Sequence, residues 1–282
     1  MRRMPMQLSN IWIWITLGLA PACANAQWIN HPMAGAPRTR DGNVNLTAKA
    51  PHLRDGRPDL SGIWQIENPT REERYQFFFD GINNLGEDPP SKYFMNILYD
   101  FKPEDAPMRP EAVALLQQHR AGLAKDIPAT RCLPFGMPLM NAAPFPYKVI
   151  QTPGEIILLY EHDTTFRQVF TDGRKHPADP TPTWLGYSVG KWEGNTLVVD
   201  TIGFNDRGWL DAFGHPHSQD MRVTERFRRP DFGHMDVQIT VDDPKMYTKP
   251  FTITLHHRLL PDTDLLESIC AENEQDGKHM PK

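Results

Sequence analysis

The stretch WLGYSVGKWEGNTLVVDTIGFND, Trp184 to Asp206, constrains the fold more than any other part of the chain. It is dense in β-formers and is cut once, at Glu193-Gly194-Asn195-Thr196, by turn residues. It reads as a hairpin, with one strand over about Leu185–Trp192 and a second over about Thr196–Phe204. In the second strand Leu197, Val199 and Thr201 share one face, and Val198, Asp200, Ile202 and Phe204 share the other. Both faces are largely apolar, as expected for a strand with a core on one side and a covered surface on the other. Asp200 is a carboxylate set among large hydrophobes.

The same rhythm runs from Tyr147 to the end. Short strands are expected at Val149–Gln151, Glu155–His162 and Phe166–Thr171, separated by the turns Pro153-Gly154 and Asp163-Thr164. After a proline-rich link and the hairpin come Arg222–Arg228, Met235–Asp242, Phe251–Leu259 and Leu265–Ala271. Met235, Val237, Ile239 and Val241 alternate with Asp236, Gln238, Thr240 and Asp242. Sequential strands joined by short turns pair antiparallel. About nine of them at this spacing remove their edges by curling and closing. Ser61-Gly62-Ile63-Trp64 adds a G-x-W element of the kind that plugs the bottom of lipocalin-type barrels.

Before Tyr147 the pattern is irregular. Tyr75, Phe77, Phe78 and Phe79 form one aromatic cluster and Tyr93 to Leu98 a second. One helix is clear: Pro110 opens it, Glu111 complements its dipole, and Ala112, Leu115, Leu116, His119 and Leu123 repeat at helical spacing. The expected class is mainly β: an antiparallel meander forming a lipocalin-like barrel or half-barrel, with one short helix and an irregular aromatic-rich N-terminal region.

The first residues read as an export signal, with Arg2-Arg3, an apolar run from Ile11 to Ala22 and an A-x-A site at Ala24-Asn25-Ala26. Four regions follow: a signal peptide over 1–26, an extended arm over 27–58, a single β-rich domain over 59–275 and a flexible tail over 276–282. Cys23 hints at a lipoprotein, although Ala20-Pro21-Ala22 is a poor lipobox, so both a simple cleaved signal and a lipoprotein signal stay open. The expected location is periplasmic or secreted. The formal net charge of −5 offers no basic stripe for phosphates and argues against nucleic acid. No second apolar run is long enough to span a membrane in the mature chain. With Cys23 removed, Cys132 and Cys270 remain, and in an oxidising compartment they are expected to pair.

Several motifs bear on chemistry. Gly186-Tyr187-Ser188-Val189-Gly190 matches the G-x-S-x-G of α/β-hydrolases, but a strand follows where the nucleophile elbow needs a helix. The glycines then serve bending or close strand approach. Asp200 and Glu225 each lie on an apolar face of a strand. Inside a barrel each needs a partner or takes a proton. Together they could act as general acid and base, with His217 as a third group. The competing reading is a structural pair with Arg167, Arg222 or Arg226. His215-Pro216-His217 resembles the H-x-H of cupin metal sites. The glutamate of that pattern is missing at its usual distance, and Pro216 interrupts the strand, so no metal is assigned. No cofactor is implied either.

The ligand-binding candidates are Arg167, Arg174, His176, Trp184, Tyr187 and Trp192. Three functions follow: a barrel that binds a hydrophobic or aromatic small molecule, an enzyme (lyase, isomerase or hydrolase) using Asp200, Glu225 and His217, or a non-catalytic envelope scaffold filled by its own side chains. The oligomeric state stays open.

Leu60-Ser61-Gly62-Ile63-Trp64, Asp172-Gly173-Arg174 with His176, and the run from Gly186 through Trp192-Glu193-Gly194, Thr196-Leu197-Val198-Val199-Asp200-Thr201 and Gly203-Phe204-Asn205 resemble a family of exported bacterial proteins of unknown function. The likeness extends through His217, Glu225-Arg226 and Cys270-Ala271-Glu272-Asn273, and so covers roughly Asp59 to Asn273. It implies export and a single domain and supplies no residue roles.

Overall fold

The computed structural model describes residues 31–67, 91–122 and 127–273. The expected signal peptide, the aromatic cluster around Tyr75–Phe79, Leu123 at the end of the expected helix and the tail over 276–282 lie outside the described residues. Among the described residues, nine strands form a closed barrel. They are β1 (Gly62–Ile66), β2 (Tyr147–Thr152), β3 (Glu155–Tyr160), β4 (Phe166–Phe170), β5 (Tyr187–Glu193), β6 (Thr196–Ile202), β7 (Arg222–Arg228), β8 (His234–Asp242) and β9 (Phe251–Leu259). β1 closes the ring by pairing with β2 on one side and β9 on the other. The alternation in β8 points Met235, Val237, Ile239 and Val241 into the core, all four wholly buried.

The hairpin expected within Trp184–Asp206 is β5–β6. Glu193 pairs with Thr196, which leaves Gly194-Asn195 as a two-residue turn, and Gly194 has φ +60° as such a turn demands.

Two expectations need correction. Leu265–Ala271 is not a strand. β1 already pairs with the far edge of β9, through Trp64 opposite Leu259, so no edge is left for a further strand. The segment runs unpaired to a short helix at Cys270–Asn273. The barrel is also not wholly antiparallel, because β4 and β5 pair parallel. The link between them, with Pro177, Pro180 and Pro182, is long enough to return the chain to the starting end, as a parallel connection requires.

Both ends of the barrel are stoppered. Trp64 is wholly buried, its Nε1 donating to the Leu60 carbonyl at 2.9 Å. The Arg229 guanidinium lies 4.8 Å from that ring and donates to the carbonyls of Asp59 at 2.6 Å and Ser61 at 3.3 Å. At the end where β2 begins, a four-residue helix over Leu139–Ala142 is buried throughout. The helix expected from Pro110 is present as Pro110–Ala121, with Pro at its start and Glu111 in its first turn. Cys132 and Cys270 form a disulfide with their Cα atoms 5.4 Å apart. Among the described residues, no helix is long and apolar enough to cross a membrane.

Candidate functional site

The centre of the barrel holds a buried polar network. Arg167 shares the inward face of β4 with Val169, and both are buried. Its Nε donates to Ser188 Oγ at 3.0 Å, Nη1 to Glu225 Oε1 at 3.1 Å, and Nη2 to Thr201 Oγ1 at 2.8 Å and to Glu225 Oε2. Asn141, from the Leu139–Ala142 helix, donates to Glu225 Oε1 at 2.7 Å and accepts from the Tyr160 hydroxyl at 2.9 Å. His257 reaches the Asn141 carbonyl at 3.1 Å, and that geometry makes Nε2 its donor. Burial alone would loosen the proton of Arg167, but Glu225 outweighs it and the guanidinium stays charged. Burial pushes the phenols of Tyr147 and Tyr160 above the ordinary tyrosine range. It pushes His257 down to about 4.

Asp200 does not belong to this interior, which corrects the expectation that it shares a site with Glu225. Val199 opposes Glu225, whereas Asp200 opposes Thr224, so the two acids point to opposite sides of the wall. Asp200 is held by Arg222 at 2.6 and 2.5 Å, with His176 Nε2 at 3.0 Å. Burial would raise its pKa. The bonds from Arg222 and His176 outweigh that and hold it below the ordinary carboxylate range. Each acid therefore has its own arginine. Among the described residues, His217 bonds to neither acid. It is buried in the loop between β6 and β7, with Nδ1 3.2 Å from the Ser218 carbonyl. The three proposed acid–base residues are not assembled.

Ser188, the serine of the G-x-S-x-G match, lies within strand β5 and is tied to Arg167 and to Thr201 Oγ1 at 3.0 Å. His215 is taken by Asp211, Nδ1 to Oδ2 at 2.5 Å. Among the described residues no three metal-ligating side chains gather.

An open space lies in the wall itself. β4 and β5 pair only at Val169–Ser188 and Phe170–Val189. Below those pairs, Thr164–Gln168 and Thr183–Tyr187 diverge and leave a slot of about 450 Å³. Its walls are mostly apolar: Phe166, Phe170, Trp184, Leu185, Tyr187 and Pro134. Arg167 and Ser188 also line it and connect it to the buried network.

No family model, curated protein or solved structure matches the chain. The chemistry of the slot then follows from its own side chains.

Of the ligand-binding candidates, Arg167, Trp184 and Tyr187 line the slot. Arg174 and His176 flank Tyr187 on the outer face, with the Tyr187 hydroxyl 3.5 Å from Arg174 Nη1 and the His176 ring 6.1 Å from the Tyr187 ring. Arg174 is taken by Asp172 and lies 3.9 Å over the Phe170 ring. Trp192 is not in the slot. It faces inward at the far end of β5, opposite Leu197. Sequence reasoning missed Asn141 and Tyr160 of the network and Phe166 of the slot. Asn141 comes from a stretch without periodicity, and nothing local marks it. Phe166 left a signal, since it alternates with two inward residues, Arg167 and Val169, on the other face, and so had to be an exposed aromatic.

Proposed function

We propose that this chain is an exported protein, periplasmic or secreted, that binds a hydrophobic or aromatic small molecule in the slot between β4 and β5. The observation that carries this is the slot. It has the size of a small-ligand pocket, and its mostly apolar walls of aromatic and aliphatic side chains are interleaved with polar groups from Thr164, Thr165, Arg167, Gln168, Thr183 and Ser188. Phe166 is 62% exposed there and offers an aromatic ring to a ligand. The Cys132–Cys270 disulfide fits an oxidising compartment, as do the export signal and the family resemblance read from the sequence.

The acid–base reading loses support because Asp200 and Glu225 face opposite ways and each is engaged by an arginine. The scaffold reading gains one observation, the hydrogen-bonded network of the barrel's own side chains at its centre. The slot separates it from the binding reading. Native mass spectrometry of the exported chain titrated with 2-naphthol tests this. Phe166 and Phe170 to alanine together should weaken binding by about tenfold or more, as loss of aromatic anchors does. Absence of any 2-naphthol complex would leave the scaffold reading in its place.

A further inference from the structure

A second cleft, of about 370 Å³, lies on the other side of Trp184, between the Pro110–Ala121 helix and the Asp206–His217 loop. Its walls include Trp184, Trp209, Leu115 and Leu133, and Arg131, Asp206, Arg207 and His217 line it. His217 is only 6% exposed, and its Nδ1 lies 3.2 Å from the Ser218 carbonyl, so Nδ1 carries the proton. Nε2 is then a bare acceptor, and no protein donor meets it among the described residues. Burial lowers the pKa of this imidazole, which keeps it neutral at pH 7.

Gly208 makes room beside that nitrogen. A β-carbon at Gly208 would lie 2.8 Å from Nε2. The Arg207 guanidinium stacks over Trp184 at 5.2 Å and pairs with no carboxylate among the described residues. Trp209 is held by the His119 ring, stacked at 4.5 Å, and His119 Nδ1 donates to the Gly214 carbonyl at 2.7 Å. The cleft thus presents an indole wall, a guanidinium that pairs with no carboxylate among the described residues, and an imidazole acceptor.

We propose that this cleft is a second binding site, for a small aromatic ligand bearing a hydroxyl and a carboxylate. The hydroxyl donates to Nε2 of His217, and the carboxylate meets Arg207. The site goes beyond the slot reading and does not depend on it.

Calorimetric titration of the intact chain with 4-hydroxybenzoate tests the site. His217→Leu removes the acceptor and should weaken binding by about tenfold or more. His217→Gln returns an acceptor near the place of Nε2 and should recover most of the loss. Gly208→Ala puts its methyl against Nε2 and should act like the leucine variant, while Arg207→Ala should weaken binding independently. Benzoate, lacking the donor, should bind the wild-type chain as weakly as 4-hydroxybenzoate binds His217→Leu. The proposal is overturned if 4-hydroxybenzoate does not bind, if benzoate binds equally well, or if His217→Leu and Gly208→Ala change nothing. Phe166→Ala lies only in the slot and should leave this titration unmoved. Loss in that variant with none in His217→Leu would assign the ligand to the slot and end the second-site proposal alone.

Discussion

Glu225 has no solvent exposure, and its carboxylate meets donors from Arg167 and Asn141. Such a pair adds little over an apolar core, but removing one member strands the other. Glu225→Gln leaves the Arg167 charge buried and should cost about 3–5 kcal/mol in urea unfolding. A change below about 1 kcal/mol would mean the charge finds another partner. His257 sets an acid limit. Its folded pKa of about 4 lies below its ordinary value, so the unfolded chain takes up a proton where the folded one does not. Its contribution is whole above pH 6.5 and falls away toward pH 4, by about 3 kcal/mol. His217, also lowered by burial, acts in the same direction. A His257→Gln chain should show a flatter loss of thermal stability across that window, and an unchanged slope would assign the acid sensitivity elsewhere. The sequence marked Glu225 as inward through its alternation with Val223 and Phe227. It could not place Asp200, because both faces of β6 are apolar and a two-residue period does not say which is inside.

At the scale of elements, the weak place is the seam between β4 and β5. Its two paired positions hold strands that elsewhere in the ring share longer ladders. Gly186 sits where the chain enters β5, with φ +67°, and an added β-carbon would lie 2.6 Å from Thr201 Cγ2 and 2.8 Å from the Ile202 carbonyl. Gly186→Ala should therefore destabilise by about 1–3 kcal/mol and distort the slot, read together in urea unfolding and 2-naphthol binding. Wild-type values for both would show that the seam relaxes freely. Most strand positions were legible in alternation and turn residues, because those signals are local. The parallel pairing was not, since it depends on the path of a long proline-rich link. Nor was the absence of a strand at Leu265–Ala271, since that depends on β1 reaching the same edge first.

Across the whole molecule, the disulfide ties the segment between β1 and β2 to the short helix beyond β9, across a separation of 138 residues. By chain entropy a closure of that length stabilises by about 5 kcal/mol, so reduction should lower the urea midpoint accordingly. An unchanged midpoint would mean that the unfolded chain is restrained in other ways. Curling into a barrel or half-barrel was readable from strand count and spacing; full closure was not, because it depends on β1 pairing with both β2 and β9. What fills it was not legible either, because Arg167, Asn141, Ser188, Thr201 and Glu225 come from distant parts of the chain and meet only once it has closed. That filling is the reason the binding reading rests on the wall of the barrel and not on its centre. The most direct test is a crystal structure of the chain soaked with 2-naphthol. The naphthol should lie between Thr164–Gln168 and Thr183–Tyr187, against Phe166 and Trp184, with Arg167 still bonded to Glu225. A naphthol found inside the barrel with that pair parted, or a slot left empty at saturating ligand, would contradict the account.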